Sequence, residues 1–377
     1  MKNRLSWWEY EHFLKDTDHT IIGCGIVGLS TAIELKSADP KCKELVIDKK
    51  RSPLGASTKN AGFACFGSIS EILDDYNSFG KDICDRLIRM RWEGLSILKS
   101  RIPTKNMMYE SKPGAEIFAN DEENEFYKNK VTWVNKLVSP IVGLEDCFYA
   151  NEGRFGFQIV NKLEGCLNPQ KMVRELELMA RKQGVNFLSG IEVVGIDFEN
   201  KHLKTNSGKI DYNNLAVCTN GFSRSLLPSE DIKPARNQVL ITNKIPDFQL
   251  DNCYHMHKGY VYFRAYDGRL LIGGGRHLDK EGETTEELET NEFIISYLND
   301  LIRNSILPGV TYEIEHSWSG ILGVGGSKLP IVKKIDKNVT IAVRMGGMGV
   351  AVGSLIGRMA ASMILSNNNS EQELYVS

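Results

Sequence analysis

The chain lacks a surplus of basic charge: 46 Lys and Arg against 48 Asp and Glu give a formal net charge of −2. Nucleic-acid binding draws on clustered Lys and Arg to neutralise phosphates, so no nucleic-acid partner is expected. No run approaches the roughly twenty apolar residues that span a bilayer. The start, Met1-Lys2-Asn3-Arg4-Leu5-Ser6-Trp7-Trp8-Glu9-Tyr10, has no apolar stretch of the signal-peptide kind. The expectation is a cytoplasmic protein without a transmembrane segment. The eight cysteines, Cys24, Cys42, Cys65, Cys84, Cys147, Cys166, Cys218 and Cys253, form no CxxC pair and no metal-ligand spacing, and they read as reduced. The seven histidines are dispersed, with His255-Met256-His257 the one close pair, so no bound metal is expected. No low-complexity stretch is present, and 377 residues suffice for two domains that fold throughout.

What is present begins with a short amphipathic helix over Leu5 to Lys15, whose Trp7 and Trp8 are expected to pack. His19-Thr20-Ile21-Ile22 then reads as a strand, a glycine-rich turn follows, and Leu29 to Lys36 continues as a helix. Leu45-Val46-Ile47-Asp48 is the next parallel strand, completing a βαβ unit. Apolar residues recur at helical spacing from Asp82 to Lys99 and from Glu122 to Leu137, and Glu283 to Leu301 reads as a mostly helical stretch. Asn168 before Pro169 caps a helix running to Gln183. Strands are predicted at Val185 to Leu188, Ile191 to Ile196 and Leu215 to Thr219. Asn237 to Thr242, Tyr260 to Arg264 and Arg269 to Gly273 read as antiparallel strands, with Asp267-Gly268 at a hairpin turn. Val339 to Val343 is a last strand and Val350 to Leu365 a closing helix. No internal repeat is visible. The parallel-type pieces lie at both ends and in the middle, which predicts a nucleotide domain assembled from separated segments.

The turn Gly23-Cys24-Gly25-Ile26-Val27-Gly28 carries the first chemistry. Gly23 permits the reversal, Gly25 lets backbone approach a pyrophosphate, and Gly28 allows close helix–strand packing, while the helix N-terminus supplies amide donors and a positive dipole end. Such a motif alone is weak. Here it follows a strand, opens a helix, and is followed twenty residues later by Asp48, placed to accept bonds from a ribose hydroxyl, with Lys49 beside it. The unit binds an adenine dinucleotide and does not choose NAD over FAD.

Leu54-Gly55-Ala56-Ser57-Thr58-Lys59-Asn60-Ala61-Gly62-Phe63 resembles the loop beneath the flavin in the D-amino-acid oxidase, glycine oxidase and sarcosine oxidase superfamily. The usual form there is Gly-Ala-Ser-Gly-Arg-Asn-Ala-Gly, so Thr58 and Lys59 replace a Gly-Arg pair. Further segments resemble the family in the same order: Asn168 to Val173, Val193-Val194-Gly195-Ile196, Cys218-Thr219-Asn220-Gly221-Phe222-Ser223 and Pro234-Ala235-Arg236-Asn237-Gln238. The resemblance covers almost the whole chain. It implies FAD, with cofactor contacts at Gly23, Gly25, Ile26, Val27, Gly28, Asp48, Lys49, Ser57, Thr58, Asn60, Ala61, Gly62, Val193, Thr219, Gly221 and Gly320.

Arg344-Met345-Gly346-Gly347-Met348-Gly349 runs from a strand into a helix, where backbone amides and a helix N-terminus can stabilise negative charge. In the family this loop serves the reduced flavin, which adds Arg344, Gly346, Gly347, Met348 and Gly349 to the implied cofactor contacts. Met345 and Met348 read equally as packing residues. At the substrate the resemblance fails. The family's carboxylate-gripping arginine lies in a Trp-x-Gly-x-Arg-Pro-like segment, and Trp318-Ser319-Gly320-Ile321-Leu322-Gly323 puts Leu322 there. Tyr260 and Tyr262 are implied to wall the substrate. Arg264 either binds an anion from that wall or is salt-bridged or exposed. The lysine that sarcosine-oxidase-like members use for reaction with oxygen has no counterpart in Leu270-Leu271-Ile272-Gly273, and Gly320 to Lys328 holds no cysteine for covalent FAD.

The resulting expectation is an α/β flavoprotein: a Rossmann-like FAD-binding domain from residues 1–78, 150–225 and 318–377, and a substrate domain from 79–149 and 226–317 with a mixed or antiparallel sheet and flanking helices. The implied reaction oxidises a C–N bond of a small amine or amino-acid derivative by hydride transfer to the N5 position of non-covalently held FAD. The resulting imine is hydrolysed, and oxygen or another acceptor takes the electrons. A flavin-dependent 2-hydroxy-acid oxidase or dehydrogenase, an NAD-dependent dehydrogenase and a non-catalytic flavin-binding protein stay open as alternatives. No catalytic side chain is singled out.

Overall fold

The computed structural model describes residues 5–50 and 55–366; Leu54, the first residue of the loop resembling the flavin-binding segment, lies outside them. The strand His19–Ile22 is buried along its whole length: Ile21 packs among helix residues on one face, and Ile22 on the other with Val193, Leu203 and Ile210 of a small antiparallel sheet, Val193–Asp197, His202–Thr205 and Gly208–Asp211. It pairs in parallel with Glu44–Asp48 and with Asn214–Val217. The full sheet has six strands in the order Ile331–Asp336, Val339–Val343, Asn214–Val217, His19–Ile22, Glu44–Asp48, Asn186–Ser189. All its pairings are parallel except that of the first two strands.

The helix Ile26–Ala38 is apolar on nearly all sides and buries ten of its residues. It packs on the sheet and against the closing helix Gly349–Leu365. The backbones approach closely because Gly353 and Gly357 face it: a Cβ at Gly353 would lie 2.7 Å from Ile26 Cγ2, and one at Gly357 would run into Ser30. Helix Lys81–Arg101 covers the other side of the closing helix, with Gly94 against the Ala351 carbonyl.

The second large sheet has eight strands in the order Ile314–Val324, Lys233–Thr242, Arg269–Gly274, Val261–Tyr266, Cys253–Met256, Gly114–Ile117, Gly156–Asn161, Phe148–Gly153. Its pairings are antiparallel apart from Cys253–Met256 with Gly114–Ile117. The hairpin turns on Asp267 (φ 51°) and Gly268 (φ 72°), as the Asp-Gly pair predicts for a two-residue loop with positive φ at both positions. The boundaries expected at 150 and 318 fall inside strands of this sheet, namely Phe148–Gly153 and Ile314–Val324. Pairing partners, which a linear pattern does not display, set where these strands belong.

Three local expectations need correction. Glu122 to Leu137 is two helices, Asp121–Lys128 and Val131–Val142, because only the second buries residues, Val134 and Val138, against the core. Of Glu283 to Leu301 only Glu292–Leu301 is α-helical. Glu283 is instead an isolated buried carboxylate that accepts from Arg236 (3.1 and 2.7 Å), Gln238 (3.1 Å) and Asn291 (3.0 Å). The helix Trp7–Phe13 forms with a Ser6/Glu9 capping box, yet Trp7 and Trp8 are 58% and 76% exposed.

Candidate flavin and substrate site

The first strand delivers the chain to Gly23 with φ 108°, a backbone state open to glycine. A Cβ at Gly23 would lie 2.7 Å from the Cys218 carbonyl oxygen, and one at Gly28 would collide with the Gly23 carbonyl oxygen. At Gly23 and Gly28 the constraint is therefore contact with backbone and not with flexible side chains. Asp48 serves it directly: one carboxylate oxygen accepts from the Cys24 amide (2.8 Å) and the other from the Lys50 amide (2.9 Å). The Ile26 amide donates to Ser57 Oγ (3.1 Å), tying the dinucleotide turn to the loop that resembles the flavin-binding segment. The Lys49 ammonium lies over the Phe222 ring at 3.9 Å, beside Thr219, whose hydroxyl meets Ser223 Oγ at 2.7 Å. Val193 is buried at the start of the small antiparallel sheet, and Gly221 packs against the Leu322 carbonyl.

The loop from Ser57 to Gly62 is pinned at three carbonyl or amide groups. Trp318 Nε1 donates to the Lys59 carbonyl (2.9 Å), Arg264 Nε to the Ala61 carbonyl (2.7 Å), and the Gly62 amide to Asn60 Oδ1 (2.8 Å). Thr58 Oγ1 donates to the Gly55 carbonyl. Arg264, read as either an anion-binding wall residue or an exposed or salt-bridged one, is 3% exposed and does not line the cavity; its Nη2 donates to the Leu167 carbonyl (3.0 Å). It fastens a loop to a sheet.

A second turn closes the site. Arg344 (φ 66°), Gly346 (φ 59°) and Gly347 (φ 89°) all have left-handed backbone, and the helix Gly349–Leu365 starts immediately after. The Gly346 amide donates to the Gly323 carbonyl (3.0 Å) and the Met348 amide to the Met345 carbonyl (2.9 Å). Among the described residues the Gly347 and Gly349 amides have no protein acceptor, so donors remain for an anionic group at this helix N-terminus. The Arg344 guanidinium turns away, to Asp231 (2.8 Å) and the Leu329 carbonyl (3.0 Å). Asn220 (φ 45°) joins the two turns: its Oδ1 accepts from the Arg344 and Met345 amides, both at 3.1 Å. Nothing in its local sequence marks it for that task.

Between these loops and the eight-stranded sheet lies a cavity of about 440 Å³. Asn60, Ala61, Gly346, Gly347 and Met348 line it from the loop side, and Asn237, Tyr260, Tyr262, Gly320 and Leu322 from the sheet side. Of the anticipated substrate wall, Tyr260, Tyr262 and Leu322 are thus brought together and Arg264 is not. The Tyr262 hydroxyl accepts from Asn237 Nδ2 at 3.0 Å, and burial raises its pKa. Polar groups that the sequence did not single out also face the cavity, among them Glu71, His255, Lys258, Arg276 and Lys328. His255 Nε2 lies 3.1 Å from Glu164 Oε2, both residues buried. Burial opposes the imidazolium, but the charge and hydrogen bond of Glu164, with Glu71 and Glu116 beyond, outweigh it and lift His255 from 6.5 to about 9. Leu270 to Gly273 brings no lysine to the cavity; Lys328, from a different segment, lines it while pairing with Asp74 (3.3 Å) and Asp75 (2.5 Å).

Residues 18–363 match the family described as DAO, FAD dependent oxidoreductase. The chain belongs to this family. Among curated proteins it is similar to the probable oxidoreductase OrdL of Haemophilus influenzae, with 24% identity over 94% of this chain and 84% of that one. Gamma-glutamylputrescine oxidoreductase of Escherichia coli is 23% identical over 92% of this chain and 83% of the relative. Among solved structures, L-proline dehydrogenase from P. horikoshii superposes with a TM-score of 0.72 at 19% identity, covering 94% of each chain. The family fold accounts for both sheets, the parallel one carrying the dinucleotide turn and the largely antiparallel one walling the cavity. No helix among the described residues is long and apolar enough to cross a membrane, and among them no cluster of three or more His, Cys, Asp or Glu could hold a metal ion.

The residues present fit the cofactor that the family name states. Backbone cradles that a Cβ would fill stand at Gly23 and Gly28, unpaired amides stand at Gly347 and Gly349, and the cavity opens between them and the sheet.

Proposed function

We propose that this family member oxidises the C–N bond of a small amine or amino-acid derivative, with FAD held non-covalently. The observation that carries this reading is the cavity bounded on one side by the Asn60–Ala61 and Gly346–Met348 loops and on the other by Tyr260, Tyr262 and Leu322. A small substrate there meets the cofactor loops and the sheet together. The names of the relatives, which specify gamma-glutamylputrescine and L-proline, support a nitrogen compound.

FAD, when bound, supplies the acceptor for a hydride from the substrate carbon at its N5 position. Gly23, Gly25, Ile26, Val27, Gly28, Asp48 and Lys49 would hold the dinucleotide, with Val193, Thr219 and Gly221 alongside. Ser57 to Gly62, Gly320 and Gly346 to Gly349 would hold the ring. The Gly347 and Gly349 amides and the helix N-terminus stabilise negative charge there at no reorganisation cost. Tyr260, Tyr262 and Leu322 displace water around the substrate and orient its carbon. His255 keeps a proton on the imidazole edge shared with Glu164. Oxygen or another acceptor would take the electrons.

Non-covalent attachment is supported by Cys65, the cysteine that lines the cavity: burial raises its thiol pKa well above the ordinary value and suppresses the nucleophilic thiolate. A cytoplasmic location belongs to this proposal and is checked by cell fractionation. The reaction is tested by an absorbance spectrum of the purified protein and anaerobic titration with amines, amino acids and 2-hydroxy acids. Flavin bleaching by amines or amino acids is expected, and acid precipitation should leave the yellow colour in solution. Bleaching by 2-hydroxy acids and by no amine would refute the reading.

A further inference from the structure

All eight cysteines are free thiols, and burial holds six of them, Cys24, Cys42, Cys65, Cys84, Cys147 and Cys218, above the ordinary thiol pKa. The other two, Cys166 and Cys253, are buried against each other. Two short segments bring them together. Glu164-Gly165-Cys166 enters the middle strand of a three-stranded sheet, between Phe63–Ala64 and Glu110–Ser111, and Cys253-Tyr254-His255 belongs to an inner strand of the eight-stranded sheet. The segments pass each other in opposite senses. Glu164 Oε2 meets His255 Nε2 at 3.1 Å; two residues on from Glu164 and two back from His255, on the same faces, Cys166 meets Cys253.

Backbone pairing fixes both ends of this contact. Cys166 faces Phe63 and Glu110 in its two ladders, and the next residue, Leu167, donates its amide to the Gly62 carbonyl (2.8 Å). Cys253 faces Gly114 and donates its amide to the Pro113 carbonyl (2.8 Å). The pair is also asymmetric. The Cys253 thiol donates to the Cys166 sulfur, and this bond, aided by the Arg264 guanidinium and opposed by burial, holds the Cys166 thiol below its ordinary pKa. The same bond, then burial, raises that of Cys253. One sulfur is therefore the ready thiolate while its neighbour keeps a proton, the division of labour between an attacking and a resolving thiol. Phe63, across the ladder from Cys166, lines the cavity, as does His255, so the pair lies immediately behind the cavity wall.

We infer that Cys166 and Cys253 form a dithiol site that hydrogen peroxide oxidises to a disulfide. The Cys166 sulfur attacks one peroxide oxygen and the O–O bond breaks. Cys166 is oxidised by two electrons to a sulfenic acid, and the departing hydroxide takes the proton that Cys166 released and leaves as water. The Cys253 sulfur then attacks the Cys166 sulfur: the S–S bond forms, the S–O bond breaks, and the second hydroxide leaves as water with the Cys253 proton. Two thiols and one hydrogen peroxide thus give one disulfide and two waters. Oxygen as the acceptor in the proposed reaction would supply peroxide in the cavity, but the site does not depend on that reaction.

The test uses the purified full chain, reduced and freed of reductant, with hydrogen peroxide added and no amine present. The sample is quenched in acid, unfolded with N-ethylmaleimide, and read by intact mass and peptide mapping. Peroxide should remove two alkylated thiols from the eight, join the Cys166 and Cys253 peptides, and leave the others alkylated; dithiothreitol should restore all eight. In Cys253→Ser, dimedone should trap Cys166 as its sulfenic acid, and in Cys166→Ser neither adduct nor disulfide should form. Eight thiols surviving a peroxide dose that oxidises the exposed Met108 in the same sample overturn the inference. So does a disulfide joining other cysteines, or Cys166 carried to sulfinic acid with Cys253 still a thiol. These three outcomes are read on the wild type and need no variant to fold. No amine is turned over, so failure of the amine-oxidation reading leaves the result intact, and failure here leaves that reading intact.

Discussion

The dinucleotide turn and the sheet wall of the cavity are built on different principles. In the turn, Gly23, Gly25 and Gly28 lie within six residues, and what matters is backbone: absent Cβ atoms, free amides and a helix N-terminus. In the wall, Tyr260, His255, Arg276 and Leu322 come from separate elements, and what matters is side-chain chemistry. A backbone cradle tolerates little change in residue type where the contact is with main chain, as it is at Gly23 and Gly28; at Gly25 the contact is with Ser57 Oγ. A side-chain wall exchanges charge for apolar surface without disturbing the fold, as Leu322 illustrates. In the proposed reading, binding the cofactor and choosing the substrate are thus separated in space and in their tolerance of mutation.

The largest effect should come from the turn. Gly28→Ala drives a methyl group into the Gly23 carbonyl, an overlap that only backbone movement relieves. It should cost more than about 4 kcal/mol, the range of a severe backbone clash, and is checked by soluble yield and flavin content. Next is Arg264→Ala, which leaves the Ala61 and Leu167 carbonyls without their charged donor. A loss of about 3 kcal/mol is expected from chemical denaturation, with weaker flavin retention because the Ser57 to Gly62 loop is released. If that variant keeps full stability, the loop is held by its own Asn60 turn and not by the sheet.

A smaller effect separates the wall's charges from its shape. His255 titrates near 9 in the folded chain against 6.5 for an unperturbed imidazole. Its charged pairing with Glu164 therefore stabilises the fold fully below pH 6.5, and that contribution disappears as pH rises through about 9. Melting temperature should fall over this window in the wild type by a few degrees, the scale of about 1 kcal/mol in a chain this long. His255→Gln should flatten the fall, and an unchanged slope would exclude the pair as its source. The smallest effect is expected at Trp8, exposed at 76%: Trp8→Ser should change stability by less than about 0.5 kcal/mol.

The legible parts of this protein are those encoded by neighbours in sequence. The βαβ unit, the Asp267-Gly268 hairpin and the Asn168-Pro169 helix start are local patterns of period, turn and cap, and each appears where its pattern predicts. The family resemblance spread over the chain reached the fold and the cofactor in the same way, through short segments kept in order. Tyr260, Tyr262 and Leu322 were legible as cavity residues through the family resemblance, which implied a substrate wall there.

Long-range pairing settled the rest. Glu164 and His255 are 91 residues apart, and neither carries a local sign of the other. Arg264 looked available for an anion until two carbonyls from distant loops claimed its donors, and Arg344 was claimed in the same manner by Asp231 and Leu329. Glu283 opened a stretch read as mostly helical, whereas Arg236, Gln238 and Asn291 made it a buried acceptor. The physical reason is common to all four. Backbone conformation answers to residues a few positions away, but a charged group is satisfied by whatever the folded chain brings within hydrogen-bonding distance, so which charges remain free for a ligand is fixed only when every partner is in place.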